Sequence, residues 1–309
     1  MSKKSYLEFL VESAEKNNSI VCVGLDPVVD VIRVGSTIEK PTIDTFVDFV
    51  GELFTELDVL NIHPAAIKPN QGFYAIHNKI FDGCCVSTEI QEGYYALGNI
   101  LTSIDFANIP IIFDSKRGDI GTSSKNYAIE AFEVWRADAV TVHPYMGIDS
   151  IKPFAEYTKN GKGVYILNRT SNPSASDFQN LKLENGDYFY IHVAKKIIEW
   201  AKQWPGVGAV VGATSLDELY EIAALYAKHQ IPLLIPGVGG QGGKAEDVIS
   251  TLKDAKYPLE LARINSSSGI THPWVKNKDL DPGGDDMNDY VSVSIKEIEK
   301  LNKVIGFNK

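Results

Sequence analysis

The sequence predicts an α/β chain folded as a (β/α)₈ TIM-type barrel, a closed parallel sheet, and three observations predict it. Eight short β-rich apolar runs succeed one another along the 309 residues. Amphipathic stretches of helical period separate them. The runs are nearly continuous in apolar residues, as expected of parallel strands buried on both faces. Eight strands alternating with helices close a barrel in a domain of about 250 residues, with the active site at the C-terminal ends of the strands. A doubly wound open sheet shares the alternation, but no G-x-G-x-x-G follows the first run, where a dinucleotide fold needs it.

In order, the strands are expected at Ile20–Asp26, Ala65–Asn70, Ile109–Lys116, Ala139–Tyr145, Gly163–Thr170, Val207–Thr214, Pro232–Gly239 and Glu260–Ser267. Helices are expected at Asp44–Leu60, Lys125–Arg136, Tyr190–Trp204, Leu216–Gln230 and Ala245–Ala255, where apolar residues recur every three or four positions. The polar segment Lys276–Asp286 reads as a surface loop before a last helix, Tyr290–Val304. No solenoid repeat or low-complexity linker interrupts the chain. Residues 1–309 are therefore expected to form a single barrel domain with an N-terminal helix and a C-terminal loop plus helix.

Composition narrows the function. At 44% hydrophobic residues the chain can bury a large core without disulfides or metal. A formal net charge of −10 disfavours binding to nucleic acid or to an anionic membrane surface. Cys22, Cys84 and Cys85 are odd in number and lack paired C-x-x-C spacing, the usage of a reducing cytosol. No run reaches the ~18 apolar residues of a membrane span, and Met1 to Lys16 is too charged for a signal peptide. The expected location is cytoplasmic. His63, His77, His192, His229 and His272 show no ligand spacing, so no metal and no cofactor is expected.

Chemistry collects where the strands end. The third run leads into F-D-S-K-R-G-D-I-G-T-S-S, which sets Asp114, Lys116 and Asp119 close together in sequence. A strand's period of two would put Asp114 and Lys116 on one face, and the glycine turn would bring Asp119 back within reach. A carboxylate beside an ammonium keeps both ionised and suits proton transfer in a desolvated pocket. A salt-bridged strand terminus explains the same residues. Other ends are equally polar: Gly24-Leu25-Asp26-Pro27, Lys68-Pro69-Asn70, His143-Pro144-Tyr145-Met146-Gly147, the glycine-rich Gly237 to Gly243, and Asn265-Ser266-Ser267-Ser268-Gly269. Each taken singly is also an ordinary turn.

Together, Lys68, D-S-K-R-G-D at 114–119, T-V-H-P-Y-M-G at 141–147, T-S-N-P at 170–173, V-G-A-T at 211–214 and P-G-V-G-G-Q-G-G at 236–243 resemble the orotidine 5′-phosphate decarboxylase family. The resemblance runs from Val21 to Gly269 and is to its longer bacterial, single-function form. It implies decarboxylation of orotidine 5′-monophosphate to UMP in pyrimidine synthesis, with no cofactor. The small-molecule substrate would be held by a homodimer with shared active sites. Relatives on the same barrel that decarboxylate or condense sugar phosphates use magnesium, and a catalytically silent nucleotide-binding relative is a further alternative.

The resemblance also implies roles. Lys116 would stabilise the C6 carbanion and protonate it, with Asp114 holding Lys116 beside the departing carboxylate. Lys68 would complete an alternating row with Asp114, Lys116 and Asp119. Asp119 and Ile120 would enter the neighbouring subunit's site. Asp26 would accept from ribose hydroxyls, Ser171 would read the imide edge of the base, and Ser123 would also touch substrate. Gly239, Gly240 and Gln241 would hold the phosphate together with the helix that starts near Ala245. His143 is not assigned a proton-transfer role, because Lys116 already supplies the proton. At Ser268 the chain departs from its relatives, which carry a phosphate-gripping arginine there. In its place the phosphate is expected to lean on Gln241, the glycine-loop amides and the helix terminus, with Arg263 or Lys244 as a secondary substitute.

Overall fold

Eight runs of four to seven residues pair side by side in parallel, because β-branched and small residues dominate them and every residue of most runs is buried. They are β1 (Val21–Leu25), β2 (Ala66–Pro69), β3 (Ile112–Arg117), β4 (Ala139–Val142), β5 (Gly163–Arg169), β6 (Val207–Val211), β7 (Leu233–Pro236) and β8 (Ala262–Ser266). Hydrogen bonding runs β2-β1-β8-β7-β6-β5-β4-β3. Isolated parallel bridges Ile67↔Ile111 and Asn70↔Asp114 bring β3 back to β2, so the sheet is a nearly closed barrel. This is a computed structural model, and it describes residues 4–33, 41–79, 81–82, 85–86, 91–104, 108–240, 242–305 and 307.

The helices are α1 (Tyr6–Asn17), α2 (Ile43–Leu60), α3 (Gln71–Ala75), α4 (Glu92–Ile104), α5 (Gly121–Ile129), α6 (Ile148–Ala155), α7 (Phe189–Gln203), α8 (Leu216–Ala227), α9 (Ala245–Asp254), α10 (Ser268–Thr271) and α11 (Met287–Ile305). The six helices given ranges from the sequence fall within a few residues of them, and an N-terminal helix is present as expected, whereas α3, α4, α6 and α10 were not anticipated. The largest shift is at α5, which starts at Gly121 rather than Lys125 and passes into one π turn, Glu130–Val134. A short hairpin, Phe81–Asp82 with Cys85–Val86, lies between α3 and α4.

One mouth of the barrel is plugged. α1, opened by a reciprocal cap between Ser5 and Glu8, lays Tyr6 against Tyr165 of β5, their hydroxyls 3.1 Å apart. Arg263 of β8 is fully buried beneath this helix. Its guanidinium donates to the carbonyls of Leu10, Ala65, Glu260 and Ala262 at 2.6–3.1 Å, so the buried charge is satisfied by dipoles. The expectation that Arg263 could reach a phosphate is thereby corrected: it is committed to the closed mouth, away from the loops that carry the polar motifs. Cys22 is buried in β1, and burial pushes its thiol up to about 12. Cys84 and the side chain of Cys85 lie outside the described residues. Among the described residues no helix is long and apolar enough to cross a membrane.

Candidate active site

At the open mouth, β3 does not remain a regular strand. Phe113 pairs with Val140 and Arg117 with Val142, so β3 advances four residues while β4 advances two. The excess forms a bulge at 114–116, and Lys116 takes a left-handed conformation, φ 46°. A lysine gains nothing from that region of backbone space, and such outliers collect at functional sites. The bulge is pinned by Thr141 of β4: the Lys116 amide donates to Thr141 Oγ1 at 3.0 Å, and that hydroxyl donates to Asp114 Oδ1 at 2.7 Å. Asp114 and Lys116 do meet, but through this hook rather than through the plain two-residue alternation.

The charges are paired asymmetrically. Lys68 of β2 donates to Asp114 Oδ2 at 2.9 Å, with side-chain exposures of 5% and 6%. Lys116 donates to Asp114 Oδ1 at 2.7 Å but is itself 47% exposed. Burial would raise the Asp114 carboxyl, yet Lys68 and Lys116 outweigh it and hold the group well below the usual carboxylate range. Burial likewise opposes the Lys68 charge, but Asp114, with Asp26 behind it, holds the ammonium above the usual lysine range. Asp114 is thus a fixed anion between two ammonium groups, one buried and one open to the cavity.

That cavity is about 620 Å³ and runs across the open mouth from Lys68, Asp114 and Lys116 to Gly240, Ser268 and Lys276. Between these poles lie Asp26, after β1, and Asn265 of β8, each with a buried side-chain oxygen that has no hydrogen-bond partner among the described residues. Buried acceptors left unpaired in a cavity are set up for a ligand's donors. Ser171 lines the same wall on a loop that Arg169 and Gln179 fix: Arg169 Nε lies 2.7 Å from Glu218 Oε2, and Gln179 Oε1 accepts the Thr170 amide at 2.9 Å.

Of the expected site residues, the fold brings Asp26, Lys68, Asp114, Lys116, Ser171, Gly240 and Ser268 to one cavity. Asp119 does not join them within the chain. Gly118 packs so tightly on the His143 ring that a Cβ there would lie 1.8 Å from Nε2, and Asp119 just after it is not among the residues lining the cavity. Asp119 Oδ1 accepts the Ile120 amide at 2.7 Å, and Ile120 is 54% exposed. Ser123 is exposed on α5, outside the cavity, and Lys244 is exposed at the start of α9. Gln241 lies outside the described residues.

The glycine loop also differs from expectation. Four of its amides are already used internally: Gly239 donates to Gly243, Gly240 to Val238, Gly242 to Gly239 and Gly243 to Gly237, at 2.9–3.1 Å. Gly239 does not reach the cavity wall. Thr141, Asn265, His272 and Lys276 are among the cavity residues to which the sequence assigned no role, as are Asn70, Thr170 and Asn172. Thr141 hid inside a β-branched run, and Lys276 sits in a segment legible only as a loop. Asn265 carried a signal, since it opens the polar N-S-S-S-G strand end.

Residues 19–271 match the model of the orotidine 5′-phosphate decarboxylase / HUMPS family. The chain is 36% identical over 268 residues to an orotidine 5′-phosphate decarboxylase from Halorubrum lacusprofundi, covering 86% of this chain and 87% of that one. Among solved structures it is similar to the OMP decarboxylase of Leishmania donovani, at a TM-score of 0.69 and 27% identity over 97% and 98% of the two chains. It is also similar to the UMP synthase of that organism, at a TM-score of 0.71 and 28% identity. There it covers 98% of this chain but only 57% of the synthase.

Proposed function

The chain belongs to the orotidine 5′-phosphate decarboxylase / HUMPS family, and from that premise we propose that its barrel decarboxylates orotidine 5′-monophosphate to UMP in pyrimidine synthesis. The observation that carries this reading is the fixed Lys68–Asp114–Lys116 array at one end of a nucleotide-sized cavity.

Breaking the bond from C6 to its carboxyl leaves the electron pair on a carbon with no adjacent sink. The barrier must therefore fall through charge that is already in place. In this reading the Lys116 ammonium faces C6, stabilises the pair as CO₂ departs, and gives its proton to C6. Its partial exposure lets it recover a proton from solvent. Asp114 holds Lys116 at 2.7 Å and disfavours the substrate carboxylate beside it. Lys68 keeps Asp114 ionised. Asp26 and Asn265 offer acceptors to the sugar, and Ser171 meets the base.

Asp114 already has an ammonium on each oxygen, so a dication there would meet two like charges. That favours the nucleotide reading over a magnesium-dependent sugar-phosphate reaction. The working unit is a homodimer in the reducing cytoplasm, with Asp119 and Ile120 directed out of their own cavity to serve a neighbouring subunit's site. Their placement beside, rather than in, the cavity supports this.

Lys116→Ala tests the reading. It removes both the charge partner and the proton source, so turnover should fall by well over the ~10²–10⁴ typical of one positioned acid. The fold should persist, because the side chain is half exposed. A variant keeping more than about a hundredth of wild-type activity would overturn the assignment.

A further inference from the structure

We propose that Lys276 is the cation that binds the substrate's phosphate, an inference that rests on the nucleotide decarboxylase reading. A phosphate monoester at neutral pH carries close to two negative charges, and a cavity that holds one needs either a cation or a set of free amides. The pole of the cavity opposite Lys116 is built from Gly237, Val238, Gly240, Ser268, His272 and Lys276. The amides of Gly239, Gly240, Gly242 and Gly243 are already bonded within the glycine loop. Ser268 has only a neutral hydroxyl. His272 is held toward its neutral form, mainly by burial, and its Nδ1 already meets Thr271 Oγ1 at 2.9 Å.

Among the described residues the cavity is lined by three ammonium groups, those of Lys68, Lys116 and Lys276, and the first two are paired with Asp114 at the far end. Lys276 meets a carbonyl, that of Gly240, instead of a carboxylate. Gly240 and Ser268 sit beside it: a Cβ on Gly240 would lie 2.4 Å from Ser268 Oγ and 3.7 Å from Lys276 Nζ. An ammonium resting on a carbonyl beside a hydroxyl, with no carboxylate partner among the described residues, can exchange that carbonyl for a phosphate oxygen at little cost.

The backbone that presents Lys276 is anchored. The Lys276 amide closes a turn onto the Pro273 carbonyl at 3.2 Å. Within that turn Trp274 is buried, donates its indole N–H to the Val31 carbonyl at 2.9 Å, and packs edge-on against Tyr290 of α11 with ring centroids 5.0 Å apart. The lysine therefore leaves from a fixed point, and only its side chain must be ordered on binding. It lies past residue 271, where the family match ends, so this contact belongs to the C-terminal loop of this chain.

The test compares wild type, Lys276→Ala, Lys276→Arg and the loop control Lys278→Ala. Turnover is measured with orotidine 5′-monophosphate and with orotidine, which lacks the phosphate, and UMP and uridine binding are measured by calorimetry. Lys276→Ala should raise KM for the nucleotide and weaken UMP by ~10–100-fold, the scale of a hydrogen bond to a charged group. It should leave kcat within a few-fold and leave orotidine and uridine unaffected. Lys276→Arg should restore most of the loss, and Lys278→Ala should match wild type. Unchanged UMP affinity in Lys276→Ala, or an equal loss with uridine, would overturn the proposal. Wild-type protein that binds UMP in a Lys276-dependent way but does not turn over the substrate would instead overturn the decarboxylase reading and leave the phosphate contact standing.

Discussion

Asp114 has two lysine partners at nearly equal distance, yet replacing them should do opposite things to stability and to turnover. The Lys68 pair is 2.9 Å long with both side chains about 95% removed from solvent, whereas the Lys116 pair is 2.7 Å long with Lys116 47% exposed. Removing one partner of a buried pair strands the other charge and costs about 3–5 kcal/mol. An ion pair with a half-exposed member is worth about 0.2–1 kcal/mol. Double-mutant cycles in urea, built from Asp114→Asn with Lys68→Met and with Lys116→Met, separate the two. The Asp114–Lys68 coupling should come out at about 2–3 kcal/mol, with the double variant recovering much of what Asp114→Asn loses. The Asp114–Lys116 coupling should stay below about 1 kcal/mol. In turnover the ranking should reverse, with Lys116→Met the more damaging of the two lysine changes. Equal couplings, or a larger one for Lys116, would refute the claim that burial separates a structural ion pair from a working one.

The same array sets a pH window. Asp114 is depressed in the folded state, so its contribution is present above the ordinary carboxylate value of about 3.9 and is lost as pH falls below it. Lys68 is raised, so its contribution is complete below about 10.4 and is lost as pH rises through its folded value. The acid decline in the urea midpoint should therefore be shallower in Asp114→Asn/Lys68→Met than in wild type, and identical slopes would contradict the pairing. Mixing inactive Asp119→Ala with inactive Lys116→Ala subunits should rebuild one working site per heterodimer. A verified heterodimer without activity would count against a shared site.

The barrel was legible because burial on both faces writes itself as unbroken apolar runs, and each of β1 to β8 sits inside its expected run except β3, which the bulge carries one residue past it to Arg117. Asp114 and Lys116 were legible as neighbours from their spacing, but not the bulge that joins them. Nothing in S-K-R-G announces a left-handed lysine, which Thr141 stabilises from another strand. Arg263 was misplaced for a simple reason. The period of two puts Arg263 and Asn265 on the same face of β8, but it does not say that one faces the plugged mouth and the other the open one. Lys276 was hidden because its place at the cavity depends on Trp274 docking under Val31, a contact 243 residues apart in sequence.

In the proposed reaction the cavity decarboxylates a pyrimidine nucleotide with its own fixed charges and a proton from Lys116, without a metal ion. That reaction is tested most directly by following the loss of orotidine 5′-monophosphate absorbance with purified protein, in the presence and absence of EDTA. Rapid conversion to UMP, at a rate that EDTA does not change, is expected. Absence of turnover, or turnover that EDTA abolishes and magnesium restores, would contradict it.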